Sequence, residues 1–201
     1  MSESKQSPLA SAVSAAFAES ARVKREFVAG NALAMERAAR ILIDCFSRGG
    51  KVLLFGNGGS AADAQHIAAE WEGRFRRERP GLPALALTVN TSDLTAIGND
   101  YGFERVFARL VEAHGREGDV AIALSTSGNS PNVLAAVDEA RARGLHTLGL
   151  AGNDGGKLAG LVDVALVVPS DRTHRIQEVH ITALHALCDV VDDALYPETA
   201  S

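Results

Sequence analysis

Five short apolar runs, at 51–55, 84–88, 120–124, 146–150 and 164–168, recur along the chain with helical patterns between them. Within each run the apolar character is continuous rather than alternating, the mark of strands covered on both faces. The intervening residues, 61–73, 92–98 with 102–114, 131–143 and 155–161, show apolar spacing that fits helices. Strands alternating with helices join into a parallel sheet with helices on both sides. The expected fold is α/β: a three-layer αβα sandwich around a five-stranded parallel sheet of flavodoxin-like type.

No linker divides the 201 residues, so one domain over 51–197 is expected, closed by a last helix over 175–195 and ended by Tyr196-Pro197. Ahead of it, residues 1–9 are Ser-rich and expected to be disordered. Residues 10–50 read as two helices interrupted around Gly30-Asn31, with stripes that include Val13, Phe17, Val23 and Phe27, then Leu33, Ile41 and Phe46. Their expected role is to pack on the domain and on other copies of the chain.

A net charge of −5 argues against a broad electrostatic grip on nucleic acid. The basic clusters at 22–25 and 74–77 are interleaved with apolar residues and read as solvated faces. Cys45 and Cys188 lie in apolar-periodic segments, as small core residues do. No stretch approaches a membrane span, and the N-terminus has no apolar signal region. The expected location is the cytoplasm.

Several apolar runs end in small polar loops: Gly56-Asn57-Gly58-Gly59-Ser60, Asn90-Thr91-Ser92-Asp93, Ser125-Thr126-Ser127-Gly128-Asn129-Ser130 and Gly152-Asn153-Asp154-Gly155-Gly156. In open α/β sheets ligands bind beyond the carboxyl ends of the strands, so these loops define one rim. The loop 125–130 offers hydroxyls and backbone N–H groups just before Pro131 opens a helix, a good setting for a phosphate. It has no Lys, which separates it from Walker-type nucleotide cradles. The plainer alternative is that Ser130 only caps the helix. After the first loop, Asp63, His66 and Glu70 share one helical face. An imidazole and carboxylates beside an anion-binding loop read as a reaction site.

Phe55-Gly-Asn-Gly-Gly-Ser60, Asn99-Asp-Tyr-Gly-Phe103, Gly115-Arg-Glu-Gly-Asp119, Ser125-Thr-Ser-Gly-Asn-Ser130 and Arg175-Ile-Gln-Glu-Val-His180 together resemble the sugar isomerase (SIS) domain of phosphoheptose isomerases. The resemblance runs from about residue 10 to 195. It implies a single SIS domain and aldose–ketose isomerisation of sedoheptulose 7-phosphate to D-glycero-D-manno-heptose 7-phosphate. That is the first step of bacterial ADP- or GDP-heptose synthesis for lipopolysaccharide or capsule. It implies a homotetramer with sites at subunit interfaces, and one zinc ion per site.

Carried over by resemblance, the zinc ligands are His66, Glu70, Gln177 and His185. The i, i+4 pair His66 and Glu70 is sound by helix geometry alone. Gln177 and His185 are eight residues apart, whereas Glu178 and His185, seven apart, align better on a helix and a carboxylate is the commoner zinc ligand. Spacing therefore favours Glu178 and the resemblance favours Gln177. Glu70 is the expected base and His185 the expected proton shuttle, the two groups an enediol mechanism needs. Asn57, Gly58, Gly59, Ser60, Asn99 and Asp100 are expected at the sugar, with Gln177 beside them. Ser125, Thr126, Ser127 and Ser130 are expected at the phosphate. Asp63 could orient His66. One departure stands at His174, where the family has an acidic residue; His174 or Asp171 would take its place. The alternative is a non-catalytic SIS relative that associates with the bacterial replication initiator, which carries Asn at position 185 and Arg at position 127. A phosphosugar-sensing regulator is a third possibility, but it would need a DNA-binding domain for which 201 residues leave no room.

Overall fold

The structure, a computed structural model, describes residues 7–197. Strands β1 (Val52–Gly56), β2 (Ala84–Ala86), β3 (Val120–Ser125), β4 (His146–Gly152) and β5 (Val164–Val168) form one sheet ordered β2-β1-β3-β4-β5. Every pairing is parallel, as expected of the flavodoxin-like order. The helices are α1 (Pro8–Ser47), α2 (Gly59–Glu72), α3 (Thr91–Tyr101), α4 (Val106–His114), α5 (Pro131–Ala142), α6 (Gly156–Leu161) and α7 (Thr173–Leu195).

Successive strand residues feed opposite cores. Val52 and Leu54 pack with residues of α1, α2 and α7, while Leu53 and Phe55 pack with residues of α4, α5 and α6. Because both faces are covered, both sets are apolar, and this is why the runs are continuous in sequence. The chain leaves β1 toward one face and β3 toward the other. Those two strands are neighbours, so their outgoing loops part and leave a crevice between them.

The N-terminal region differs from expectation. It is one helix of 40 residues, not two. Asn31 sits mid-helix, donating to the carbonyls of Phe27 (2.9 Å) and Val167 (3.2 Å) and accepting from the Val167 N–H (3.3 Å). Val167 lies on the outer strand β5, whose far edge has no strand neighbour among the described residues, so the Asn31 amide satisfies a sheet edge. Gly30 faces open space, so it costs the helix about 1 kcal/mol against alanine without hinging it. Residues 1–6 of the expected disordered segment lie outside the described residues. Ser7 to Leu9 are not frayed: the Ser7 hydroxyl accepts from the Ala10 N–H (3.2 Å) and Pro8 opens α1.

Candidate active site

The crevice begins where β1 ends. Gly56 pairs with Leu124, and a Cβ there would stand 2.8 Å from the Leu124 carbonyl oxygen. Gly58 then takes φ +57°, and α2 starts at Gly59 with Ser60 buried beneath it. Asn57 exchanges two hydrogen bonds with Asn132 on the first turn of α5, at 2.9 and 2.8 Å. This amide pair ties the loop after β1 to the helix after β3. Neither composition nor spacing singled out Asn132; its role emerges only across the crevice. Asn57, Ser130, Asn132 and Phe103 line a cavity of about 310 Å³ there.

On the other side, the Ser130 hydroxyl lies 3.0 Å from Ser125 Oγ and makes no capping bond to α5. Ser130 is thus the N-cap residue of α5 through its backbone only, and its hydroxyl belongs to the loop. Ser127 Oγ is 3.5 Å from Ser125 Oγ and accepts from the Asn129 N–H (3.2 Å). Three hydroxyls thus gather at the N-terminus of α5, whose dipole favours an anion. The loop after β4 props this one: the Leu158 N–H donates to the Gly128 carbonyl (2.9 Å), the Lys157 N–H to Asn129 Oδ1 (3.1 Å), and the Gly152 N–H to the Thr126 carbonyl (3.1 Å). Asn90 caps α3 by accepting from the N–H groups of Ser92 (3.1 Å) and Asp93 (3.3 Å).

Further along α2, His66 and Glu70 meet His185 of α7. One donor atom from each falls within 4.8 Å of the others. His66 Nε2 is 2.9 Å from His185 Nε2 and 3.5 Å from Glu70 Oε1. Zinc with bonds of about 2.0–2.1 Å in a tetrahedral shell sets its donors roughly 3.3 Å apart, close to the distances of His66 Nε2 from His185 and from Glu70. Burial lowers the pKa of His185, His66 lowers it further, and Glu70 and Asp189 oppose both. Phe75 stacks on the His185 ring, centroids 5.6 Å apart and planes 14° from parallel. Phe75 lies in the irregular segment after α2 and gave no local signal in the sequence.

Gln177 and Glu178 face different neighbours. Glu178 pairs with Arg175 (2.5 Å); burial raises its pKa, but Ser20, Arg175 and Lys24 outweigh that and hold it below the ordinary value. It therefore faces α1. Gln177 faces α2: its carboxamide lies where a Cβ on Gly59 would intrude, 2.5 Å from Nε2. Gly59 and Gln177 stand about two turns before His66 and His185 on their helices, so the pairs line one cleft between α2 and α7.

The remaining expected residues divide. His180 is a packed histidine, buried with Nε2 3.2 Å from the Ala151 carbonyl. Asp63 is half-buried and burial raises its pKa; Oδ2 has no hydrogen-bond partner among the described residues, so no bond orients His66 through that oxygen. Asn99 and Asp100 are exposed at the end of α3 and bond to each other (2.9 Å). His174 and Asp171 are exposed at the start of α7 and just before it.

The sequence pattern of the SIS domain family matches residues 16–152. The chain is 57% identical to the phosphoheptose isomerase of Roseiflexus sp. (strain RS-1) over 176 residues, covering 88% of this chain and 89% of that protein. It superposes with a TM-score of 0.87 on phosphoheptose isomerase GmhA from Neisseria gonorrhoeae, at 50% identity, covering 92% of this chain and 99% of that one. A phosphoheptose isomerase from Francisella tularensis gives a TM-score of 0.88 at 39% identity, covering 94% and 100%. These likenesses give no support to the alternative of a protein of the replication initiator.

Proposed function

The chain belongs to the phosphoheptose isomerases, a SIS-domain family, and we propose that it converts D-sedoheptulose 7-phosphate to D-glycero-D-manno-heptose 7-phosphate through an enediol. The observation that carries this reading is the meeting of His66 and Glu70, on the helix that starts at the crevice, with His185 of α7.

In this reading Ser125, Thr126, Ser127 and Ser130 hold the phosphate at the N-terminus of α5. Asn57, Gly58, Gly59 and Ser60 lie along the sugar. Glu70 removes a proton from the carbon beside the carbonyl and returns one to the neighbouring carbon. His185, whose pKa burial lowers, passes a proton between the two oxygens. His66, Glu70 and His185, with Gln177 along the same cleft, would hold zinc, which supplies positive charge to polarise the carbonyl.

The same reading makes the protein a homotetramer. Leu9, Val13, Phe17, Val28 and Leu33 of α1 are exposed apolar side chains, which supports burial against other copies. The exposed Asn99 and Asp100 would then reach a sugar in a neighbouring subunit's site. Among the described residues no helix is long and apolar enough to cross a membrane. The proposed place of action is the cytoplasm, feeding nucleotide-activated heptose for lipopolysaccharide or capsule. Incubation with sedoheptulose 7-phosphate, following aldose formation with and without chelator, tests the proposal. Absence of turnover by zinc-loaded protein would overturn it, and unchanged turnover by verified metal-free protein would remove the zinc.

A further inference from the structure

We propose that Phe75 is a positioning residue of this site, holding the His185 imidazole in the plane that aims Nε2 at His66 and Glu70. The inference rests on the role given to His185 above. The torsion that turns a histidine ring is soft, so the α7 backbone alone leaves its plane loosely set. Two neighbours define it instead. Phe75 lies nearly parallel to it in an offset stack, 5.6 Å between centroids and 14° between planes, and His66 meets the ring edge-on at 5.0 Å and 84°.

Phe75 belongs to no helix or strand, so its own position needs an anchor. The segment that bears it is pinned to α7 by three ion pairs beyond His185: Arg76 to Asp189 (2.8 Å), Arg79 to Asp192 (2.8 Å), and Arg77 to Asp193. The outer two are partly exposed and contribute little alone. Arg79 and Asp192 are buried, and Arg79 also donates to the carbonyls of Glu70 (3.0 Å) and Trp71 (2.8 Å). One short segment therefore holds the backbone of Glu70 and the ring of His185 together. Remote anchoring of this kind sets ligand orientation without touching substrate.

Phe75→Leu keeps an apolar filler and removes the flat ring, whereas Phe75→Tyr keeps the ring. The measurements are kcat and KM for sedoheptulose 7-phosphate, zinc affinity by competition with a chromogenic chelator, and the melting temperature of each protein. Phe75→Leu should lower kcat and zinc affinity by about tenfold or more with KM within about threefold, and Phe75→Tyr should stay near wild type. Wild-type kcat and zinc affinity in Phe75→Leu would overturn the proposal, as would equal losses in both variants. Should Phe75→Leu prove unstable, Phe75→Met, an unbranched apolar filler, takes the same comparison. A wild-type protein that neither turns over nor binds zinc instead removes the reading on which the inference rests.

Discussion

His66 Nε2 and His185 Nε2 stand 2.9 Å apart although 119 residues separate them in the chain. Only one proton fits between two imidazole nitrogens at that distance, so at least one lone pair points into the gap. Glu70 closes the third side. Three electron-pair donors converging from two helices form an arrangement that a cation or a shared proton stabilises, and that no apolar packing requirement explains.

His185 is the member that links both proposed tasks, metal binding and proton transfer. Substituting His185→Asn keeps a polar side chain of smaller reach. We expect kcat to fall by about 10²- to 10⁴-fold, the range of a lost acid–base group, with the far-ultraviolet circular dichroism unchanged. Retention of more than a tenth of wild-type kcat would contradict the assignment.

Ser130 separates a ligand-binding loop from a helix cap. Because its hydroxyl meets Ser125 rather than an α5 N–H, Ser130→Ala should leave stability within about 0.5 kcal/mol of wild type, where loss of a cap costs about 1. The effect should appear instead as a rise of about tenfold in KM for the sugar phosphate, the scale of one lost hydrogen bond to a charged group. Steady-state kinetics and urea unfolding on the same preparation distinguish the two readings.

These contrasts show which features were legible before the structure. Continuous apolar runs announced the sheet because both faces of each strand are buried, a condition that acts residue by residue. The His66–Glu70 pair was legible because i, i+4 spacing on a helix is local geometry. Asn31 misled because its partner, Val167, lies 136 residues away, so a mid-helix Gly-Asn looked like a break. Spacing on an isolated helix favoured Glu178 because it takes no account of α1, where Ser20 and Lys24 engage that carboxylate. Asn132 and Phe75 stayed silent for the same reason: each acts through one contact made only after folding.

The Arg79–Asp192 bridge should dominate the stability of the α2–α7 pair. Both side chains are buried and Arg79 closes the end of α2. Asp192→Ala leaves a buried guanidinium without its counter-ion and should cost about 3–5 kcal/mol. Arg79→Met with Asp192→Leu, which removes both charges together, should cost much less than Asp192→Ala alone. Urea unfolding at fixed protein concentration measures both, and equal losses would show that the carbonyl contacts of Arg79, not its charge pairing, hold the helices.

His180 gives a pH signature that can be calculated in sign. Burial lowers its pKa from 6.5 to about 4, and the bond to Ala151 offsets only part of that shift. The folded state therefore holds the neutral ring while the unfolded chain takes up a proton below about pH 6.5. Stability from this group is complete above pH 6.5, declines as the pH falls toward 4, and levels off below. The full loss over that window is about 3 kcal/mol at 1.36 kcal/mol per unit. His180→Gln keeps a donor for the Ala151 carbonyl and removes the titration. Between pH 7 and 4.5, wild type should lose about 2–3 kcal/mol more than this variant in urea unfolding at matched concentration. Parallel pH profiles for the two proteins would mean that His180 is charged in the fold or accessible to water.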